Sequence, residues 1–194
     1  MTQVPRNVSI TITLPDWIDD VIDWTSLRTT ADARVRLAIL LARENVNRQT
    51  GGPFGAAVFE AASGRLIAVG VNMVEPQRNA ALHAEVVALM FAQRALGSFA
   101  LSVPELGQSY ILATSCAPCA MCLGAVHWSG VSRVEGGATR EDALSVGFDE
   151  GPVFPESIAY LERRGTTFVD GIARAEAREV LQNYQSLGRA LYNG

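Results

Sequence analysis

All three cysteines of this 194-residue chain, Cys116, Cys119 and Cys122, fall within seven residues of one another. No thiol lies elsewhere to close a long loop, so disulfides cannot scaffold the fold. An apolar core must do so instead. With 48% of residues hydrophobic and 19% charged, the chain has enough apolar material for one sizeable core. Thiols clustered in this way point to metal binding or redox chemistry in a reducing compartment.

The charge balance narrows the partners. Sixteen Lys and Arg against twenty Asp and Glu leave a formal net charge of -4. That removes the broad basic face on which non-specific nucleic-acid binding depends. A small neutral substrate is favoured over a polyanion, and no nucleic-acid partner is expected. No uninterrupted apolar run is long enough to span a membrane. Asp16, Asp19 and Asp20 interrupt the region where a secretory signal would need an apolar stretch. The expected location is the cytoplasm.

Periodicity orders the elements. Residues 1–30 carry Pro5, Pro15 and short apolar patches without a sustained period, and read as an N-terminal arm; residues 31–194 read as one domain. From Thr30 to about Asn47, Ala33, Leu37, Leu40 and Leu41 recur at helical spacing. Gly55–Ala61 and Leu66–Val71 read as a hairpin turned at Ser63-Gly64. A helix is expected over His83–Leu96, a strand at Tyr110–Ala113 and a helix from Cys119 to about Trp128. Further along come a strand at Val131–Gly137, a short helix at Glu141–Val146, a strand at Thr166–Val169 and a closing helix from Ala173 to about Leu191. This alternation predicts an α/β fold, a three-layer α-β-α sandwich around a central mixed five-stranded sheet.

Two fragments carry chemistry: His83-Ala84-Glu85 and Pro118-Cys119-Ala120-Met121-Cys122, each at an expected helix start. Cysteines three apart in a first helical turn project from the same side, and the positive end of the helix dipole favours their thiolates. Two thiolates and one imidazole make three ligands, one short of a closed structural zinc site. The open position would hold water, and Glu85 stands two residues from His83 to accept and relay its protons. A closed four-ligand site recruiting Cys116 is the structural alternative, but it leaves Glu85 without a task. Cys116 otherwise reads as a small buried hydrophobe, and His127 as a packed or surface histidine.

The His-x-Glu and Pro-Cys-x-x-Cys fragments together resemble the zinc-dependent deaminases of cytidine deaminase fold. Over roughly residues 31–194 the resemblance is to the bacterial guanine deaminase branch. It is carried further by Gly51-Gly52-Pro53-Phe54-Gly55, Asn72, Leu123-Gly124-Ala125-Val126 with Trp128, and Gly147-Phe148-Asp149-Glu150. The resemblance implies a Zn2+ cofactor held by His83, Cys119 and Cys122, with Glu85 as proton shuttle. It implies Glu150 as a second catalytic carboxylate near the leaving amine. Asn72 is similar to the residue that hydrogen-bonds the purine, Phe54 to the aromatic packed on its ring, Trp128 to a pocket-lining residue and Tyr192 to an aromatic that closes the pocket. In some members of the branch that last residue comes from the neighbouring subunit, and a homodimer is implied. One position departs from the pattern: Ala117 stands where the guanine and tRNA-adenosine branches usually carry Glu, which bears on substrate identity rather than on metal binding.

The activity implied is hydrolytic conversion of guanine to xanthine with release of ammonia. Three alternatives stay open. One is a deaminase of a related amino-heterocycle such as ammeline, cytosine or an adenine-type base. The second is a tRNA adenosine deaminase, against which stand the acidic balance and a C-terminal segment whose Arg174, Arg178 and Arg189 are offset by Glu176 and Glu179. The third is a zinc-stabilised interaction module without turnover.

Overall fold

In the computed structural model, which describes residues 9–103 and 108–192, the strand Gly55–Glu60 (β1) lies at the heart of a mixed sheet. Its residues split by the period of two that a strand imposes: Ala57 and Phe59 enter one apolar cluster, Ala56 and Val58 the other. Both faces are therefore covered, which is why β1 shows no polar alternation. Leu66–Val71 (β2) pairs antiparallel with β1 on one side, and Gln108–Cys116 (β4) pairs antiparallel on the other. Beyond β4 the sheet turns parallel, through Arg133–Ala138 (β5) and Thr167–Val169 (β6). The order is β2-β1-β4-β5-β6, and a two-residue strand, Ser102–Val103 (β3), pairs with the start of β4. This is the mixed five-stranded path expected from the sequence, with β3 as an addition.

One face is packed by the helices Ala31–Asn47 (α2) and Arg174–Ser186 (α8), which bring Val35, Ile39, Leu41, Val180, Leu181 and Tyr184 against Ala57, Phe59 and Val69. Thr30 caps α2 through its side chain, which accepts the Ala33 N–H. The other face is packed by Ala84–Leu96 (α4) and Ala120–Ser129 (α5), with Leu161 of Pro155–Arg163 (α7). Phe59 is fully buried, and its truncation to Ala would cost about 3–5 kcal/mol. A buried ion pair ties the layers: Arg34 of α2 donates from Nε and Nη2 to Glu135 of β5, both at 2.8 Å.

Residues 9–30 are not detached from this body. Trp17, Ile18 and Ile22 are buried in the α2/α8 cluster, and Ile18–Val21 forms a single helical turn (α1). Two other short helices are Val74–Gln77 (α3) and Arg140–Ser145 (α6). The sequence reading passes over α1, α3 and α7, and runs α8 too far: it ends at Ser186, and Gly188 at φ 62° turns the chain back. Among the described residues no helix is long and apolar enough to cross a membrane.

Candidate metal centre and pocket

Two helices begin at one place. His83 is the N-cap residue of α4 and Cys119 that of α5, and α5 starts just beyond the C-terminal end of β4. Crevices outside the carboxyl ends of parallel strands are where open α/β sheets bind ligands. Cys119 Sγ lies 3.5 Å and Cys122 Sγ 3.7 Å from His83 Nδ1, and the three donor atoms fall within 4.8 Å of one another. A zinc ion with Zn–S of about 2.3 Å and Zn–N of about 2.0 Å in a tetrahedron separates neighbouring N and S donors by about 3.5 Å. The donor set and its spacing fit zinc. Cys116 stays apart, its thiol directed at the Thr139 carbonyl at 3.7 Å.

The charges around these donors follow from burial and from each other. The Cys122 thiol hydrogen-bonds Cys119 and, against the cost of burial, brings Cys119 down to about 4, while Cys122 itself is raised well above its ordinary value. Burial opposes the charge on His83, but the Cys119 thiolate and the Glu85 carboxylate outweigh it and leave the imidazole above its ordinary value. Glu85 is raised to about 7 by burial first and by the Cys119 charge second. Burial and the same thiolate raise Glu150 to about 8. Two carboxyl groups that change protonation near neutral pH thus flank the donors.

Glu150 reaches this position on the loop after α6. Its carbonyl accepts the Ala120 N–H at the start of α5, and Arg140 Nη2 donates to the Gly151 carbonyl next to it, both at 3.0 Å. Phe54, His83, Glu85, Ala117, Cys119, Phe148, Asp149, Glu150 and Tyr192 enclose an inner cavity of about 30 Å³. An outer cavity of about 410 Å³ shares His83, Cys119, Asp149, Glu150 and Tyr192 with it and is walled also by Val74, Ala80, Met121 and Gly151. The aromatic walls are mutually packed: Phe148 lies edge-on to Phe54 at 4.9 Å between centroids and 5.4 Å from Tyr192. Tyr192 Oη in this wall is buried without a hydrogen-bond partner, and so is Nδ2 of Asn72, the residue whose Oδ1 accepts the Val74 N–H.

The structure brings together His83, Glu85, Cys119, Cys122, Glu150, Phe54 and Tyr192, and sets Asn72 behind them, its Oδ1 accepting the N–H of the outer-wall residue Val74 at 3.3 Å. Trp128, expected to line the pocket, lines neither cavity of this protomer. It lies in the last turn of α5, 81% exposed, with its ring against His127 at 4.9 Å. Helical geometry explains this: six positions after Cys122 is neither three nor four nor seven, so the side chain leaves on another face. Near it a groove of about 420 Å³ runs between α5 and α7, lined by residues such as Leu123, His127 and Tyr160, and it holds none of the metal donors. Phe148 is a wall residue that the sequence reading quoted within a motif without assigning a role. Asn45, described below, was missed, because a lone Asn inside a helix gives no signal of its own.

Comparison with known proteins places this geometry in context. Residues 28–138 match the family described as the cytidine and deoxycytidylate deaminase zinc-binding region. A guanine deaminase from Bacillus subtilis is 38% identical over 134 residues, 69% of this chain and 81% of the relative. The solved structure of guanine deaminase from Nitrosomonas europaea superposes with a TM-score of 0.86 at 39% identity, covering 93% of this chain and 98% of that one. A structure solved in complex with 2,6-diaminopurine is similar at 40% identity and a TM-score of 0.86, covering 94% of this chain and 96% of the other.

Proposed function

The chain belongs to the cytidine and deoxycytidylate deaminase zinc-binding family, a family of zinc-dependent aminohydrolases, and from that premise we propose that it converts guanine to xanthine with release of ammonia. The observation that carries the reading is the convergence of one imidazole, two thiols and two buried carboxyl groups of raised pKa on a cavity walled by aromatic rings. His83, Cys119 and Cys122 would hold the zinc ion. When bound, it supplies the Lewis acidity that makes a water nucleophilic near neutral pH.

Glu85 takes a proton from that water and returns it to the ring nitrogen next to the amino-bearing carbon. It is buried in the inner cavity beside the donors, where a carboxyl group can both accept and return a proton. Glu150, raised to about 8 by burial, can give a proton to the departing amine and take back the one the added hydroxyl loses as the carbonyl forms, so both carboxyl groups end as they began. One water enters and one ammonia leaves, so the exchange balances. Asn72 Nδ2 donates to the edge of the heterocycle, which supplies the partner this buried N–H otherwise lacks. Phe54 and Phe148 cover the ring, and Tyr192 closes the outer side.

The same reading carries a cytoplasmic protein with a small aminated heterocycle as its partner. Free, clustered thiols support that compartment. It also carries a homodimer, for which the exposed Met121, Trp128 and Phe154 offer apolar surface.

The test is ammonia release from guanine, ammeline, adenine, cytosine and guanosine by the zinc-loaded protein, with Glu85→Gln as control. Rapid release from guanine alone is the expected result and shows that Ala117 is tolerated. Turnover of another member of the panel with guanine inert would reassign the substrate. Silence across the panel would overturn the reading.

A further inference from the structure

Asn45 lies in the last turn of α2 and is fully buried. Its amide donates one N–H to the Gly52 carbonyl at 2.8 Å and the other to the Asn72 carbonyl at 2.9 Å. Its Oδ1 accepts from Thr50 Oγ1 at 2.8 Å, and Thr50 Oγ1 in turn accepts from the Trp17 indole Nε1 at 2.9 Å. The order of donors along this chain has one solution. An indole N–H can only donate, so Thr50 must accept there and spend its own proton on Asn45 Oδ1. The Asn45 amide then cannot flip, and its NH₂ faces the two carbonyls. The local backbone is cut to suit: a Cβ on Gly51 would stand 1.9 Å from the Asn72 oxygen and 2.7 Å from Asn45 Nδ2.

The two carbonyls stand behind two different walls of the pocket: Phe54, which lines the inner cavity, donates its N–H to the Gly52 carbonyl, and Val74, which lines the outer one, donates its N–H to Asn72 Oδ1 at 3.3 Å. Gly52 supports Tyr192, whose hydroxyl lies 1.9 Å from where a Gly52 Cβ would be. Asn72 carries the unpartnered Nδ2. We propose that Asn45 is a positioning residue for heterocycle recognition: by bridging Gly52 and Asn72 it sets the separation of the two pocket walls, and the Trp17–Thr50 relay locks it from the N-terminal segment. The proposal rests on the reading that Asn72 meets the substrate. It gives residues 9–30 a part in specificity that their distance in sequence from the metal donors conceals.

The experiment is a double-mutant cycle on the zinc-loaded full-length chain, reading kcat and KM for guanine, zinc content and Tm. Asn45→Ala is expected to lower kcat/KM about 10- to 100-fold with zinc retained, since misplacing a binding group by about 1 Å can cost that much. In an Asn72→Ala background the same change should add less than about twofold, because coupled residues are not additive. If Asn45→Ala does not fold, Thr50→Val and Trp17→Phe carry the same cycle, with losses of about 2- to 5-fold and the same non-additivity. Equal fold losses in both backgrounds would reduce Asn45 to a structural residue and overturn the proposal while leaving the deaminase reading intact. Activity that falls only with the folded fraction would do the same. A wild-type protein inert on every aminated heterocycle would fail the functional reading first, and this inference with it.

Discussion

The two ends of the pocket are built in different ways. The metal end takes its donors from two helix starts, with Cys119 and Cys122 one turn apart and His83 capping the neighbouring helix. The other end, where we propose that the heterocycle is recognised, draws Asn45, Gly52, Phe54, Asn72, Phe148 and Tyr192 from the end of α2, two loops near the hairpin, the loop after α6 and the C-terminal segment. The first end needs rare residue types at fixed short spacing, because a metal accepts few ligands and one geometry. The second needs only common residues and carbonyls placed at the right distance, and that distance belongs to the whole fold. Chemistry at one end is therefore local, and shape at the other is collective.

The sharpest way to break this contrast is at the metal end. Cys122→Ala removes a buried ligand, and we expect zinc content to collapse and turnover to fall to background, checked by metal analysis beside the ammonia assay. Zinc retained at full stoichiometry in that variant would mean the donors are not those three. Glu85→Gln comes next: turnover should fall about 10²- to 10⁴-fold with zinc still bound, the range for one positioned proton relay. Loss of zinc in this variant would make Glu85 a ligand and not a shuttle.

The same contrast explains what could be read from sequence. The hairpin and α2 were legible to within a residue because their apolar periods are sustained and bounded by Gly and Pro. The β4 strand runs beyond Tyr110–Ala113 to Cys116, because its last residues continue the parallel ladder with β5 even though Thr114 and Ser115 are polar. Helix α7 escaped notice although Pro155 at its first turn is a start signal, since it is only nine residues long and Leu161 alone among them is buried. His83-x-Glu85 and the cysteine pair were found from residue type alone. Asn45 could not be, because its role exists only when residues 17, 45, 50, 52 and 72 meet. Trp128 went the other way: the family resemblance implied a pocket wall, and the rotation of α5 carries it to the surface of the protomer.

Tyr192 tests the recognition end at moderate size. Its hydroxyl is buried without a protein partner, and burial holds its ionisation well above the ordinary value, so it stays a neutral donor. Tyr192→Phe should raise KM for guanine about 3- to 10-fold, the worth of one neutral hydrogen bond. Tm should be unchanged or slightly higher, since an unpaired buried hydroxyl is removed. An unchanged KM would show that the aromatic ring closes the pocket by packing alone.

Asp142 gives the smallest effect and separates support from chemistry. It sits in the first turn of α6 and closes a capping box with Thr139 just after β5, whose last residue Ala138 pairs with Cys116 at the end of β4. Its hydrogen bonds from Arg174, at 2.8 and 3.1 Å, outweigh burial and hold it down to about 2. A carboxylate depressed in the folded state stabilises above its unfolded pKa, and that contribution disappears as pH falls through the folded value. Here the window runs from about pH 4 down to about pH 2. Arg174 is half exposed, so solvent screening leaves about 1 kcal/mol from the pair and the cap. Asp142→Asn should thus lower stability by about that amount at pH 7, and the two proteins should converge in denaturant melts near pH 2. Zinc content and kcat at pH 7 should not change, because Asp142 touches neither donor nor pocket. A loss of kcat without a loss of stability would extend the metal end outward to α6, and the division between local chemistry and collective shape would have to be redrawn there.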